Sequence, residues 1–353
     1  MEFEEFKKSF KEDLKKCLEE QGIHAELSEN HVEKLNQSYD ALSVTPEGTS
    51  IGVNVNLNMI YKSYEDGLDY NDVVNRAAAS LETGIRNTPA IDVTEITNYE
   101  SMKHKLAMEV VSADRNIDML EKVPHETLED MAVVYRLILD QNSDGRSSIL
   151  VTNNLMEQFG ITNEQLHEDA MINAPEIRPS EIRGMSEVMN AMVGPGIMPE
   201  IAPEDEQMFV AGVSDNIHGA GVIAYPNFFE EAAEKLGGDY YVLPSSIHEV
   251  LLVRDNGDMT SETLEAMVRE VNATQVSPEE QLTDHVYHYD SKEHIFEMAD
   301  RFEKRQAERQ TEEHETDRES VLDDLKLKKE TVAKGAFEKP KKDAVKKSRG
   351  EAL

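Results

Sequence analysis

Phe3, Phe6, Phe10, Leu14, Cys17 and Leu18 recur three and four residues apart, the apolar stripe of an amphipathic helix. Glu4 with Lys8 and Glu12 with Lys16 stand at i,i+4 in the favourable order, supporting its solvent face. Gly22 predicts where the helix stops. The stripe could serve a partner; packing on its own domain is the simpler reading. Over residues 31–57 short strands are expected. There Ile51, Val53, Val55 and Leu57 alternate with Gly52, Asn54 and Asn56, the period of two of a half-buried strand. From about Asp69 the helical period returns with Tyr70, Val73, Val74, Ala77, Ala78 and Leu81 on one face.

Leu106, Met108 and Val110 predict another strand, and Asp114 to Lys122 a helix ahead of Pro124. Two apolar runs, Met131 to Leu139 and Ser147 to Thr152, flank a segment holding Asp144-Gly145, which is a hairpin signal. Thr162 and Gln165 have capping-box spacing before a helix through Leu166, Ala170 and Met171. Five of the twelve prolines fall in residues 174–206, predicting a long loop or a boundary. Strands are then expected at Met208 to Val213, Val222 to Tyr225, Tyr240 to Leu243, Val250 to Val253 and, last, Val286 to Tyr289. Helices are expected at Pro226 to Leu236 and Ser261 to Asn272.

Composition narrows the classes of function. The chain has 353 residues, 39% of them hydrophobic, and a formal charge of −35, which opposes binding to nucleic acid and anionic membranes. A single cysteine, Cys17, leaves no intramolecular disulfide. The first twenty residues lack a signal peptide's apolar region, and no window approaches the ~20 apolar residues of a membrane span. A cytoplasmic chain is the expectation. From about Ser291 charged residues dominate. Lys326 to Leu353 carries ten Lys and Arg against four Asp and Glu, a local charge of +6 on a remainder of −41. Such a tail cannot fold alone; it is the one stretch suited to nucleic acid, although the acidic body opposes that use.

Candidate chemistry is sparse. Asp140, Asn142, Asp144 and Gly145 match the first half of a calcium loop, but Val151 stands where the closing carboxylate belongs, so the hairpin reading wins. Ser245, Ser246, His248 and Glu249 place hydroxyls, an imidazole and a carboxylate within five residues, the residue types of a hydrolase. No G-x-S-x-G elbow precedes the serines. A structural turn, with Ser246 and Glu249 capping one helical turn, is the preferred reading. Asp284, His285, His288 and Asp290 gather near the end, but along a strand the two histidines face opposite ways, so no metal site is expected. Gly219-Ala220-Gly221 is too short for a dinucleotide fingerprint; turn flexibility accounts for it, and no cofactor is expected.

The stretch Asp239-Tyr240-Tyr241-Val242-Leu243-Pro244-Ser245-Ser246-Ile247-His248-Glu249-Val250 resembles the hallmark of a domain-of-unknown-function family from gut-dwelling Gram-positive bacteria. Val151 to Asn154 with Phe159-Gly160-Ile161, Gly219-Ala220 with Tyr225-Pro226, and Leu282 to Asp290 agree with it, so that the likeness spans about residues 3 to 290. The resemblance implies an intracellular protein without an assigned enzymatic role, met in genomes rich in mobile elements, and carries over no catalytic residues.

The expected architecture is α+β: a mainly antiparallel sheet with packed helices in lobes 1–124 and 125–290, then a charged tail, 291–353. The expected function is binding or regulation through a protein partner. The alternative is a hydrolase using Ser245 or Ser246 with His248 or His285, and with Glu249 or Asp284 as the acid.

Overall fold

A computed structural model describes residues 1–49, 52–86, 96–142, 145–194 and 201–311, with 325, 326 and 329. The chain divides into two compact units, Met1–Met298 and Ala299–Leu353. In the second, residues 299–311 are helical. Among the described residues no helix is long and apolar enough to cross a membrane.

The first unit begins with α1 (Phe3–Glu20), whose Glu4 and Glu5 place negative charge at the positive end of the helix dipole. Phe6, Phe10, Leu14 and Leu18 are buried, so the stripe packs on its own domain. Each such side chain contributes about 1.5–3 kcal/mol by leaving water. The surface ion pairs differ from those expected: Glu4 pairs with Lys7, and Asp13 with Lys16. Strands β1 (Ala25–Lys34) and β2 (Gln37–Pro46) form an antiparallel hairpin, with β3 (Val53–Asn56) on the far side of β2. Ile51 lies outside the described residues. The strand expected through Leu57 stops at Asn56, because the Asn56 side chain accepts the Met59 N–H at 3.0 Å and starts α2 (Leu57–Glu65). Helix α3 (Tyr70–Arg86) buries Val73, Val74, Ala77, Ala78 and Leu81 in the same core.

Next come β4 (Leu106–Ser112), helical turns at Asp114–Asn116 and Ile117–Leu120, and strands β5 (His125–Leu128), β6 (Met131–Asn142) and β7 (Gly145–Leu150). Strand β6 pairs with β4 along one edge and with β5 and then β7 along the other, all antiparallel. The expected hairpin forms, with Asn142 opposite Gly145. Ser143 and Asp144 lie outside the described residues, as do the side chains of Asp140 and Asn142. The β4–β6 pairing runs across the expected lobe boundary at residues 124 and 125. The apolar cores part earlier: one gathers residues between Phe6 and Leu81, the other residues from Tyr99 to Tyr289 together with Leu35. All seven residues of β4 are buried, so this strand has no solvent face.

Helices α4 (Asn153–Phe159) and α5 (Asn163–Ile177) follow. Thr162 caps α5 by accepting the Gln165 N–H at 3.2 Å. The Gln165 side chain turns to Asp169 at 3.1 Å, leaving half a capping box. The loop expected over 174–206 contains β8 (Ser180–Gly184) and α6 (Met185–Val193); residues 195–200 lie outside the described residues. Pro179 directly precedes β8, an edge strand, where a missing N–H is tolerated.

After β9 (Met208–Val213), the apolar run expected as a strand is a 3-10 helix, Gly219–Ala224. Then come α7 (Phe228–Leu236), β10 (Tyr240–Leu243), β11 (Val250–Arg254), α8 (Ser261–Thr274), β12 (Tyr287–Asp290) and β13 (Ile295–Met298). These strands form a six-stranded antiparallel sheet in the order β13-β12-β10-β11-β9-β8; β13 lies beyond the strand expected to be last. The architecture is α+β with antiparallel sheets.

Candidate functional site

The turn between β10 and β11 carries the serines and histidine singled out above. It is extended and makes no helical turn: Ser246 forms an isolated antiparallel bridge with Gln281. The carbonyl of Ser245 accepts the Leu282 N–H at 3.2 Å. The Ser246 Oγ accepts the backbone N–H of His248 at 3.0 Å, a local hydroxyl-to-backbone turn. Glu249 is exposed. His248 Nδ1 accepts the backbone N–H of His218 at 3.2 Å, and its Nε2 lies 3.4 Å from Glu280 Oε1.

His218 is the residue that the sequence reading missed. It precedes the 3-10 helix in a left-handed conformation, φ 53° and ψ 38°, uncommon for a side chain of this size. The loop is held by Arg178, a buried residue whose Nη2 donates to Asp215 Oδ1 at 2.8 Å and to the Ile217 carbonyl. The 3-10 helix lies directly on neighbouring backbone. A Cβ on Gly219 would stand 2.4 Å from the His248 carbonyl oxygen, and one on Gly221 2.4 Å from that of Met108. Close approach, and not turn flexibility, is therefore what these glycines supply.

Beneath the loop Glu109 of β4 is fully buried between Arg136 of β6, Nε to Oε2 2.5 Å, and His218, Nδ1 to Oε2 2.9 Å. A lone carboxylate there would be prohibitively desolvated, so the arginine is what allows it to remain charged. Arg136 Nη1 also reaches Ser148 Oγ at 3.4 Å. Arg136, Ser148, His218, His248 and Glu280 line one cleft of about 610 Å³, with Leu35, Leu150 and Ile247 among its apolar wall. The tip of the β1–β2 hairpin closes one side. Asn36, with φ 57°, exchanges hydrogen bonds with Asn116 at 2.7 and 2.8 Å and donates to the carbonyls of Glu279 and Gln281.

The second expected cluster lies apart from this chain of contacts. Asp284 accepts from Asn272 Nδ2 of α8 at 2.7 Å. The acid that meets His285 is Asp130, 2.8 Å from its Nδ1, and the same carboxylate accepts from Tyr287 and Thr283. His288 pairs with Asp255 at 3.1 Å, so the two histidines of this segment face different partners. Among the described residues, neither the His248 nor the His285 imidazole hydrogen-bonds a serine hydroxyl.

Burial alone pushes the Asp130 carboxyl up, but hydrogen bonds from Tyr287, His285 and Thr283 outweigh it and hold the carboxyl below its ordinary value. The sign follows: with the folded-state value depressed, this cluster's contribution is complete above the unfolded value, ~3.9, and fades as pH falls through the folded one. In Asp130→Asn the acid-side decline in stability should flatten. Urea denaturation across the acid range checks this, and an unchanged slope would refute it.

The chain belongs to a family of unknown function, DUF5688, whose model matches residues 3–291. No curated protein and no solved structure matches it.

Proposed function

We propose that this DUF5688 member is a non-enzymatic binding protein whose receiving surface is the cleft around His218 and His248. One observation carries the reading: at the β10–β11 turn, the Ser246 hydroxyl and the His248 imidazole are each committed to backbone. The Ser246 oxygen takes the His248 N–H, and the His248 ring takes the His218 N–H. A serine hydrolase needs the opposite arrangement, with hydroxyl and imidazole sharing a proton. What remains exposed to the cleft is a mixed wall of polar tips and aliphatic side chains, a surface suited to recognition.

The test pairs capture with turnover. Immobilised full-length protein should retain a partner or small ligand from the native host's extract, and a His218→Asn form should release it; asparagine tolerates the left-handed backbone but shortens the polar tip. Turnover of ester, peptide or phosphate substrates by purified protein, abolished by folded His248→Ala, would overturn the reading. Ser246→Ala should cost about 1 kcal/mol through the lost backbone hydrogen bond, visible as a lower denaturation midpoint. Loss of turnover with no change in that midpoint would instead assign the hydroxyl to chemistry.

A hydrolase is the second reading because Asp130 engages Nδ1 of the half-exposed His285 ring as an acid orients a catalytic base, which assigns the base role to Nε2. It requires a nucleophile that approaches that nitrogen, and the same substrate panel, run with His285→Ala, tests it.

A further inference from the structure

We infer that the cleft holds His218 and His248 in opposite tautomers and so receives a carboxamide edge, a C=O and an N–H presented side by side as in a primary amide or lactam. The inference rests on the cleft being a binding site.

The tautomers follow from the contacts. His218 Nδ1 is buried and stands 2.9 Å from the Glu109 carboxylate. Two lone pairs cannot face each other at that distance, so Nδ1 carries the proton although the angle departs from a straight hydrogen bond. In the neutral ring Nε2 is then an acceptor. Among the described residues it has no hydrogen-bond partner, and because Nδ1 is shielded, the exposed part of this partly exposed ring lies on its other side. His248 is the reverse. Its Nδ1 accepts the His218 N–H, so its proton sits on Nε2, whose contact with Glu280 at 3.4 Å is too long to hold that N–H fully and leaves it for a ligand to share. Two neighbouring rings, centroids 5.6 Å apart, thus offer the cleft one acceptor and one donor.

That pairing selects among ligand classes. A metal ion would need a lone pair on His248 Nε2, which would force a proton onto Nδ1 against the His218 N–H. An oxyanion offers only acceptors and leaves the His218 nitrogen unmatched. It would also meet the carboxylates of Glu279 and Glu280 at the rim, while the nearest guanidinium is already paired to Glu109. A hydroxyl carries its one donor and its acceptor on the same oxygen, which must then reach both rings at once. A carboxamide supplies both, and Leu35, Leu150 and Ile247 give an attached hydrocarbon or ring an apolar wall.

The test uses three matched probes, benzamide, benzoate and benzamidine, with the ¹⁵N-labelled full chain. Long-range imidazole spectra at neutral pH, assigned with His218→Asn and His248→Gln, should show a protonated Nδ1 on His218 and a protonated Nε2 on His248. Benzamide should move both Nε2 signals and bind at least about tenfold more tightly than either charged probe, the worth of one matched hydrogen bond. His218→Asn should lose about that factor. The same tautomer on both rings overturns the proposal. So does benzoate or benzamidine binding as well as benzamide, although the cleft would then stand as a binding site of another class. If no probe moves either ring the carboxamide assignment falls, and the capture experiment decides the broader reading separately.

Discussion

Replacing Gly219 by alanine is expected to destabilise the first unit by about 3 kcal/mol or more, at the upper end of overpacking penalties. The new methyl would meet the His248 carbonyl oxygen at 2.4 Å, the Val213 nitrogen at 2.9 Å and the Gly212 Cα at 3.2 Å. All three are backbone atoms, so no side chain can swing aside; a strand end or the β10–β11 turn must move. Gly212 is the internal control. A methyl at that position would find the same His248 oxygen at 3.5 Å, ordinary van der Waals contact, and Gly212→Ala should change stability little. Equilibrium denaturation of the two variants compares them directly, and equal midpoints would show that the close approach is not real. Because the displaced carbonyl belongs to His248, Gly219→Ala should also break the His218–His248 contact.

Arg136→Met is expected to cost about 3–5 kcal/mol, the range for stripping one member from a buried ion pair. Glu109 is fully buried and would lose its guanidinium partner while the His218 imidazole stays beside it. The penalty comes from the stranded carboxylate more than from the lost attraction. Adding Glu109→Gln should therefore recover a good part of it, since no bare charge remains. Urea denaturation of the single and double variants measures the recovery; if the double variant is as unstable as the single, the arginine's hydrocarbon stem matters more than its charge.

The parts of the fold that sequence made legible are those with a local period. Phe6 to Leu18 and Tyr70 to Leu81 could be read as helices because spacing on one helix decides which side is buried. Strand β4 was legible from the alternation of Leu106, Met108 and Val110, but alternation could not show that Glu109 on the other face is dry as well, satisfied by an arginine 27 residues away. The run from Val222 to Tyr225 looked like a strand because it is apolar, and it is apolar because it lies in the core, where residues 219–224 form a 3-10 helix. The site was legible only in part. His248 stood in the polar cluster between two apolar runs, while Glu109, Arg136, His218 and Glu280 come from separate segments that no local pattern connects. His285 was singled out, but its acid is Asp130 and not the adjacent Asp284, because sheet packing brings residue 130 to it and α8 draws Asp284 away.

The wide separation of these segments matters during synthesis. The cleft's lining runs from Val32 to Glu280, so an emerging chain has made the hairpin tip long before Glu279 and Gln281 exist to receive Asn36. At ~5–20 residues per second that wait is roughly 12–50 s. For most of it the tip of β1 and β2 can grip only the Asn116 side, and no ligand of the finished cleft can assist. A ligand for this site therefore stabilises only chains already translated past residue 280, and a prematurely terminated product is blind to it.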